Sequence, residues 1–102
     1  MKDISHYRFF QSLTALPFID AIYLYGSRAR GDGDDWSDID LAIYCPNATS
    51  TQWDYVQQVL HTQEILVPIP ATRYDTLIEV GFKAQIDKDK KILFERVRHD
   101  NT

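Results

Sequence analysis

The chain holds one cysteine, one methionine, four glycines and four prolines in 102 residues. A lone cysteine, Cys45, permits no internal disulfide and excludes a cysteine zinc cluster. It closes an apolar run, where a buried, inert thiol is expected rather than a reactive one. No apolar stretch approaches the ~20 residues of a membrane span, and the N-terminus lacks the basic and then apolar segments of a secretory leader. A cytoplasmic protein with no membrane partner is the expectation. Basic residues are outnumbered 11 to 15, a net charge of −4. They are scattered except for Lys88, Lys90 and Lys91 and the later Arg96 and Arg98. Direct binding to DNA or RNA is therefore not expected, since it draws on clustered cations meeting phosphates. A nucleotide can still be held through a metal. His6, His61 and His99 are dispersed and show no helical spacing of zinc ligands. Internal repeats and low-complexity tracts are lacking.

What is present is a globular composition, 44% hydrophobic and 25% charged. The length suits a single domain over residues 1–102, burying roughly 65% of the surface its unfolded chain exposes. Ile4, Tyr7, Phe10 and Leu13 recur every third residue and predict a helix over residues 3–15, with Asp3 as N-cap and Pro17 as stop. Residues 18–25 are rich in β-branched and aromatic side chains and break at Gly26, which predicts a strand. Residues 27–30 open a short helix, residues 31–36 are a polar loop and residues 37–44 predict a second strand. Thr51 and Asp54 resemble a capping box, with Trp53, Val56 and Leu60 on one face of a helix ending near His61. Residues 64–74 are β-prone but carry Pro68 and Pro70, so any strand there is an edge strand or an interrupted one. A helix over residues 77–87, weakened by Gly81, and a strand over residues 92–97 complete the chain, and the last five residues are expected to fray. Strands alternating with helices point to a mixed α/β fold, a sheet with helices packed on it.

The most informative stretch is YGSRARGDGDDWSDIDLAIY, residues 25–44. Side chains two apart on a strand point the same way, so Asp38 and Asp40 share one face while Ile39, Leu41 and Ile43 fill the core behind them. Two adjacent carboxylates repel, and hard oxygen ligands of this kind suit Mg²⁺ or Mn²⁺. The alternative is that both face solvent, or that one caps a turn. Gly26-Ser27 stands between a strand and a helix start, where glycine lets a phosphate approach the backbone and the serine hydroxyl adds a donor. Taken alone, the pair is also an ordinary tight turn. If the two strands are neighbours, a metal on Asp38 and Asp40 falls beside that turn, as a nucleoside triphosphate requires. Arg28 and Arg30 either brace a phosphate or hold the acidic loop by ion pairs, and Arg30 joins Gly26 and Ser27 as a nucleotide-binding candidate.

Two other motifs fail. A P-loop would need Lys and Ser or Thr where Asp32 and Gly33 stand, and a calcium loop beginning at Asp32 has no glycine in sixth place and Ile43 in twelfth.

Gly26-Ser27, Ala29-Arg30-Gly31 and Asp38-Ile39-Asp40, with ten residues between the serine and the first aspartate, together resemble the minimal nucleotidyltransferases of the DNA polymerase β superfamily. The resemblance is to the MNT antitoxins of HEPN/MNT toxin-antitoxin pairs. It extends to Tyr74-Asp75, Phe82-Lys83-Ala84 and Ile92-Leu93-Phe94-Glu95 in the tail. It implies a polymerase β-like mixed sheet, ATP bound with Mg²⁺ (or Mn²⁺), and transfer of a nucleoside monophosphate to an acceptor hydroxyl with release of pyrophosphate. In that branch the acceptor is a tyrosine of a HEPN RNase toxin encoded next to the antitoxin, so a hetero-oligomer is expected. The resemblance assigns phosphate to Gly26 and Ser27, and metal and catalysis to Asp38 and Asp40. The family's usual third carboxylate, on the next strand, aligns with Pro70, and no acid lies between Ile65 and Tyr74. Glu64, Asp34 and Asp35 are the candidate substitutes. A protein adenylyltransferase is therefore one reading, and a weak or inactive member that neutralises the toxin by covering it, through exposed aromatics such as Trp36, Trp53 or Tyr55, is the other, although a core place is the commoner one for Trp53. Transfer to a small molecule is less favoured, since 102 residues leave no second domain for an acceptor pocket.

Overall fold

A computed structural model describes residues 4–62 and 66–97. The expected N-cap Asp3, the candidate Glu64 and the tail from residue 98 lie outside the described residues. A 3-10 turn, Ile4–His6, precedes helix α1, Arg8–Thr14. The single helix expected over residues 3–15 is thus interrupted at Tyr7, whose backbone is extended (φ −77°, ψ 145°). The interruption brings Phe9 into the core beside Phe10 and Leu13, with Tyr7 stacked on it at 5.7 Å between ring centroids.

Strand β1, Ala21–Tyr25, runs directly into helix α2, Gly26–Arg30, and strand β2 follows as Asp40–Tyr44. β1 pairs antiparallel with β2 and places Tyr25 opposite Asp40. Helix α3 spans Ser50–Thr62. Its capping box is formed by Thr49 and Gln52, and not by Thr51 and Asp54: the Gln52 N–H donates to Thr49 Oγ1 at 3.1 Å and the Thr49 N–H to Gln52 Oε1 at 2.8 Å. The helix begins two residues earlier than the Thr51 signal implied, because Thr49 has the longer-reaching amide three positions on.

Strand β3, Ala71–Arg73, is parallel to β2 and lies at the sheet edge. The prolines fall just before it and accept where they cannot donate, the Ile39 N–H giving to the Pro68 carbonyl at 2.9 Å and the Leu41 N–H to the Pro70 carbonyl at 3.0 Å. Half of the ladder is missing there, which is why β2 starts at Asp40 and not at Ser37. A second 3-10 turn, Tyr74–Thr76, leads to helix α4, Val80–Asp89, later than the expected residues 77–87 because Leu77 closes that turn through its N–H to the Tyr74 carbonyl at 3.3 Å. Strand β4, Lys91–Glu95, pairs antiparallel with β1 and gives the order β3-β2-β1-β4.

The central strands are covered on both faces. Ile22 and Leu24 of β1 and Leu41 and Ile43 of β2 join Phe9, Phe10 and Leu13 of α1 and Val56 and Leu60 of α3 in one core cluster. Ala21, Tyr23 and Ala42 meet Ile86 of α4 in the other. Cys45 is wholly buried, and burial first, then the Asp75 carboxylate, pushes its thiol up to about 12. Trp53 packs against the first cluster, whereas Trp36 and Tyr55 are exposed. Among the described residues no helix is long and apolar enough to cross a membrane.

Candidate active site

The junction of β1 and α2 has one backbone demand. Gly26 has φ +76°, a region that L side chains rarely adopt. A Cβ added there would lie 2.3 Å from Asp40 Oδ2. The absent side chain makes room for the carboxylate of the facing strand, and so the glycine-serine turn and the second aspartate are in contact. Behind Asp40, Ile39, Leu41 and Ile43 are all wholly buried, which holds the alternation expected of this stretch. Asp38 lies outside the strand proper and is exposed, while Asp40 is half-buried.

The two acids feel each other. Partial burial raises the pKa of Asp40 above its ordinary value, the charge of Asp38 raises it further, and Arg30 pulls the other way. Tyr25, opposite Asp40, is also pushed up by burial, and its hydroxyl lies 3.4 Å from Thr72 Oγ1. Ser27 is the second residue of α2, and its carbonyl accepts from the Gly31, Asp32 and Gly33 N–H groups, each at 3.1 Å. The loop is thereby folded back on the helix. A Cβ on Gly33 would meet Ser27 Oγ at 2.9 Å, so this glycine also serves a close approach.

The two arginines part ways. Arg30 is half-exposed and donates from Nη1 to Asp89 Oδ2 at 3.1 Å and from Nε to Asp32 Oδ2 at 3.4 Å. It stands at the rim of the site, tethered to α4, and its charge reaches Asp40. Arg28 is buried and braces no surface pair. Its Nε donates to the Ser37 carbonyl at 3.0 Å and its Nη2 to the Asp35 carbonyl at 2.9 Å. Sequence reasoning missed Asp89 as the partner of Arg30, because the two are far apart in the chain and only the packing of α4 joins them. It also missed Gly33, for which the density of small residues in the loop was the one available signal.

Of the candidate substitutes for a third carboxylate, Glu64 lies outside the described residues, and Asp34 and Asp35 form no metal-holding group with the site. The register Leu41 to Ala71, continued back one residue by the Ile39 to Pro68 hydrogen bond, sets Pro70 beside Asp40. Asp34 closes its own turn, its Oδ1 accepting from the Trp36 N–H at 2.9 Å and from Ser37 Oγ at 3.3 Å. Among the described residues no group of three His, Cys, Asp or Glu side chains is placed to hold an ion. Beside Asp38 a cleft of about 510 Å³ opens, lined mainly by apolar groups such as Leu60, Pro68 and Pro70, with Gln57 and His61. The site therefore has two carboxylates, a glycine-serine turn and an apolar wall.

Residues 10–99 match the family described as polymerase beta, nucleotidyltransferase. The chain belongs to that family. No curated protein matches it. Among solved structures it is similar in fold to a toxin-antitoxin crystallised with AMP-PNP (TM-score 0.61, 20% identity, covering 82% of this chain and 67% of that one). It is similar to the same degree to a toxin-antitoxin MntA-HpeT mutant (TM-score 0.59, 20% identity, 82% and 66%). At that identity the likeness is one of fold, and this chain spans about two thirds of each neighbour's length.

Proposed function

We propose that the protein is a metal-dependent adenylyltransferase that acts as an antitoxin, moving a nucleoside monophosphate from ATP to a tyrosine hydroxyl of a HEPN RNase toxin encoded next to it. The observation that carries this reading is the contact at Gly26, where the missing side chain sets the Asp40 carboxylate against the glycine-serine turn. Membership of the nucleotidyltransferase family supports the reaction class. A fold neighbour bound to AMP-PNP supports ATP, and the toxin-antitoxin character of both neighbours supports the partner.

Two partly solvated carboxylates fit Mg²⁺, which keeps several waters and takes one or two carboxylates together with substrate phosphates. Asp38 and Asp40 would hold it, and when bound it neutralises charge on the triphosphate and on the departing pyrophosphate. In this reading Gly26 leaves the backbone open to a phosphate, Ser27 donates its hydroxyl, and Arg30 supplies positive charge at the rim. The acceptor oxygen forms a bond to the α-phosphorus as the bond from that phosphorus to the pyrophosphate oxygen breaks, and the acceptor's proton is released to solvent.

Pro70 favours a second reading. With Pro70 where the family's third carboxylate is expected and, among the described residues, no third acid gathered to hold an ion, the acceptor proton would lack its usual base, a loss of about 10² to 10⁴ in rate, and a protein that neutralises by covering its partner fits that geometry. One experiment separates the two. Incubation with ATP, Mg²⁺ and the product of the adjacent reading frame should add the mass of one or more nucleoside monophosphates to that partner, and Asp38→Ala with Asp40→Ala should abolish both the addition and neutralisation. Full neutralisation by the folded double variant would leave only the covering role.

A further inference from the structure

Asp38 has no strand of its own to hold it, since β2 begins two residues later at Asp40. The peptide on its C-terminal side is fixed by the Ile39 N–H to Pro68 carbonyl bond at 2.9 Å. The peptide on its N-terminal side has a different anchor. The ladder does not reach it, since the Ser37 N–H turns back to the Asp34 carbonyl at 3.1 Å. Arg28 Nε donates to the Ser37 carbonyl at 3.0 Å instead, and Nη2 to the Asp35 carbonyl at 2.9 Å.

We propose that Arg28 is the positioning residue of the metal site: its guanidinium holds the Asp35 and Ser37 carbonyls beyond the end of the β-ladder and so fixes the peptide from which the Asp38 carboxylate projects. The side chain is only 5% exposed, and both of its hydrogen bonds go to backbone carbonyls of the loop that delivers Asp38. It springs from α2, directly after Ser27. One residue therefore ties the phosphate turn to the loop acid, as Gly26 ties it to the strand acid. The planar fork suits two carbonyls at once, which a lysine ammonium on a flexible stem does not reproduce. A phosphate-bracing role fits less well, because Nε and Nη2 are engaged by backbone carbonyls and the residue is only 5% exposed.

The metal-binding part of this inference rests on the nucleotidyltransferase reading, and its test has one arm that does not. Arg28→Met keeps the bulk and removes every donor, and Arg28→Lys keeps the charge and at most one of the two bonds. Amide hydrogen exchange should quicken at residues 34–39 by at least about tenfold in Arg28→Met and by less in Arg28→Lys, with β1 and α3 unchanged. Calorimetry supplies the second arm. The ratio of ATP affinities with Mg²⁺ and with EDTA should fall at least about tenfold in Arg28→Met, while affinity in EDTA moves less than about twofold. A merely structural arginine predicts equal losses in both buffers. Unchanged exchange at residues 34–39 in a folded variant, or equal loss with and without metal, overturns the proposal. Should Arg28→Met fail to fold, Arg28→Lys carries the same comparison. If wild-type protein gains no ATP affinity from Mg²⁺, the nucleotidyltransferase reading fails, and hydrogen exchange alone still decides the role of Arg28.

Discussion

Asp40 is an acid in a place that disfavours its charge. Burial and Asp38 both make its proton harder to remove, and Arg30 offsets them only in part. Because the folded chain holds that proton more tightly than the unfolded one, the folded state binds more protons between the ordinary aspartate pKa and the raised one. Stability therefore falls as pH rises through that window and stays lower above it. In metal-free buffer at neutral pH, Asp40→Asn should melt above wild type, and the gap should close as pH drops below the ordinary aspartate range. Mg²⁺ with ATP should raise the wild-type Tm and leave the variant's unmoved. Thermal melts across pH check this, and a variant no more stable than wild type at neutral pH would count against it. At this scale the sequence was highly legible. A period of two and a neighbouring strand pointed to Asp40 facing the glycine-serine turn, and the structure puts those two in contact, whereas Asp38, expected within the strand, lies just before it. The role of Arg28 was not legible, since nothing in a sequence says which carbonyls a buried guanidinium will reach.

Among the elements, types were easier to read than ends. The prolines correctly marked β3 as an edge strand, yet their effect on β2 was hidden: each removes a donor from the neighbouring ladder, so β2 loses its first residues. The 3-10 turn Tyr74–Thr76 displaced α4 toward the C-terminus, a shift that apolar spacing cannot show because Leu77 is hydrophobic in either arrangement. Gly81 now sits in the first turn of α4, with open space where a Cβ would go. The glycine weakens the helix through its propensity and not through packing. Gly81→Ala should stabilise the protein by about 0.5–1 kcal/mol, roughly 2–8 °C in Tm. A lower Tm would mean that this position has a contact the fold does not show.

At the scale of the molecule, the sheet order was the least legible feature. β4 is last in the chain and pairs with β1, and Arg96 secures the junction by donating to the carbonyls of Thr14, Leu16 and Ile19 at 3.1–3.2 Å. Such pairing depends on which edge is left open once α1, β1 and β2 have packed, and no local pattern records it. The order matters for function because it leaves the C-terminal end of β1 and the start of β2 at one end of the sheet, with the cleft beside them. The central claim is that the two aspartates and the turn hold one ligand between them. Crystals grown with Mg²⁺ and a non-hydrolysable ATP analogue test it directly: the account predicts the ion between Asp38 and Asp40 with a phosphate against Gly26 and Ser27, and a nucleotide bound elsewhere, with both carboxylates in bulk water, would contradict it.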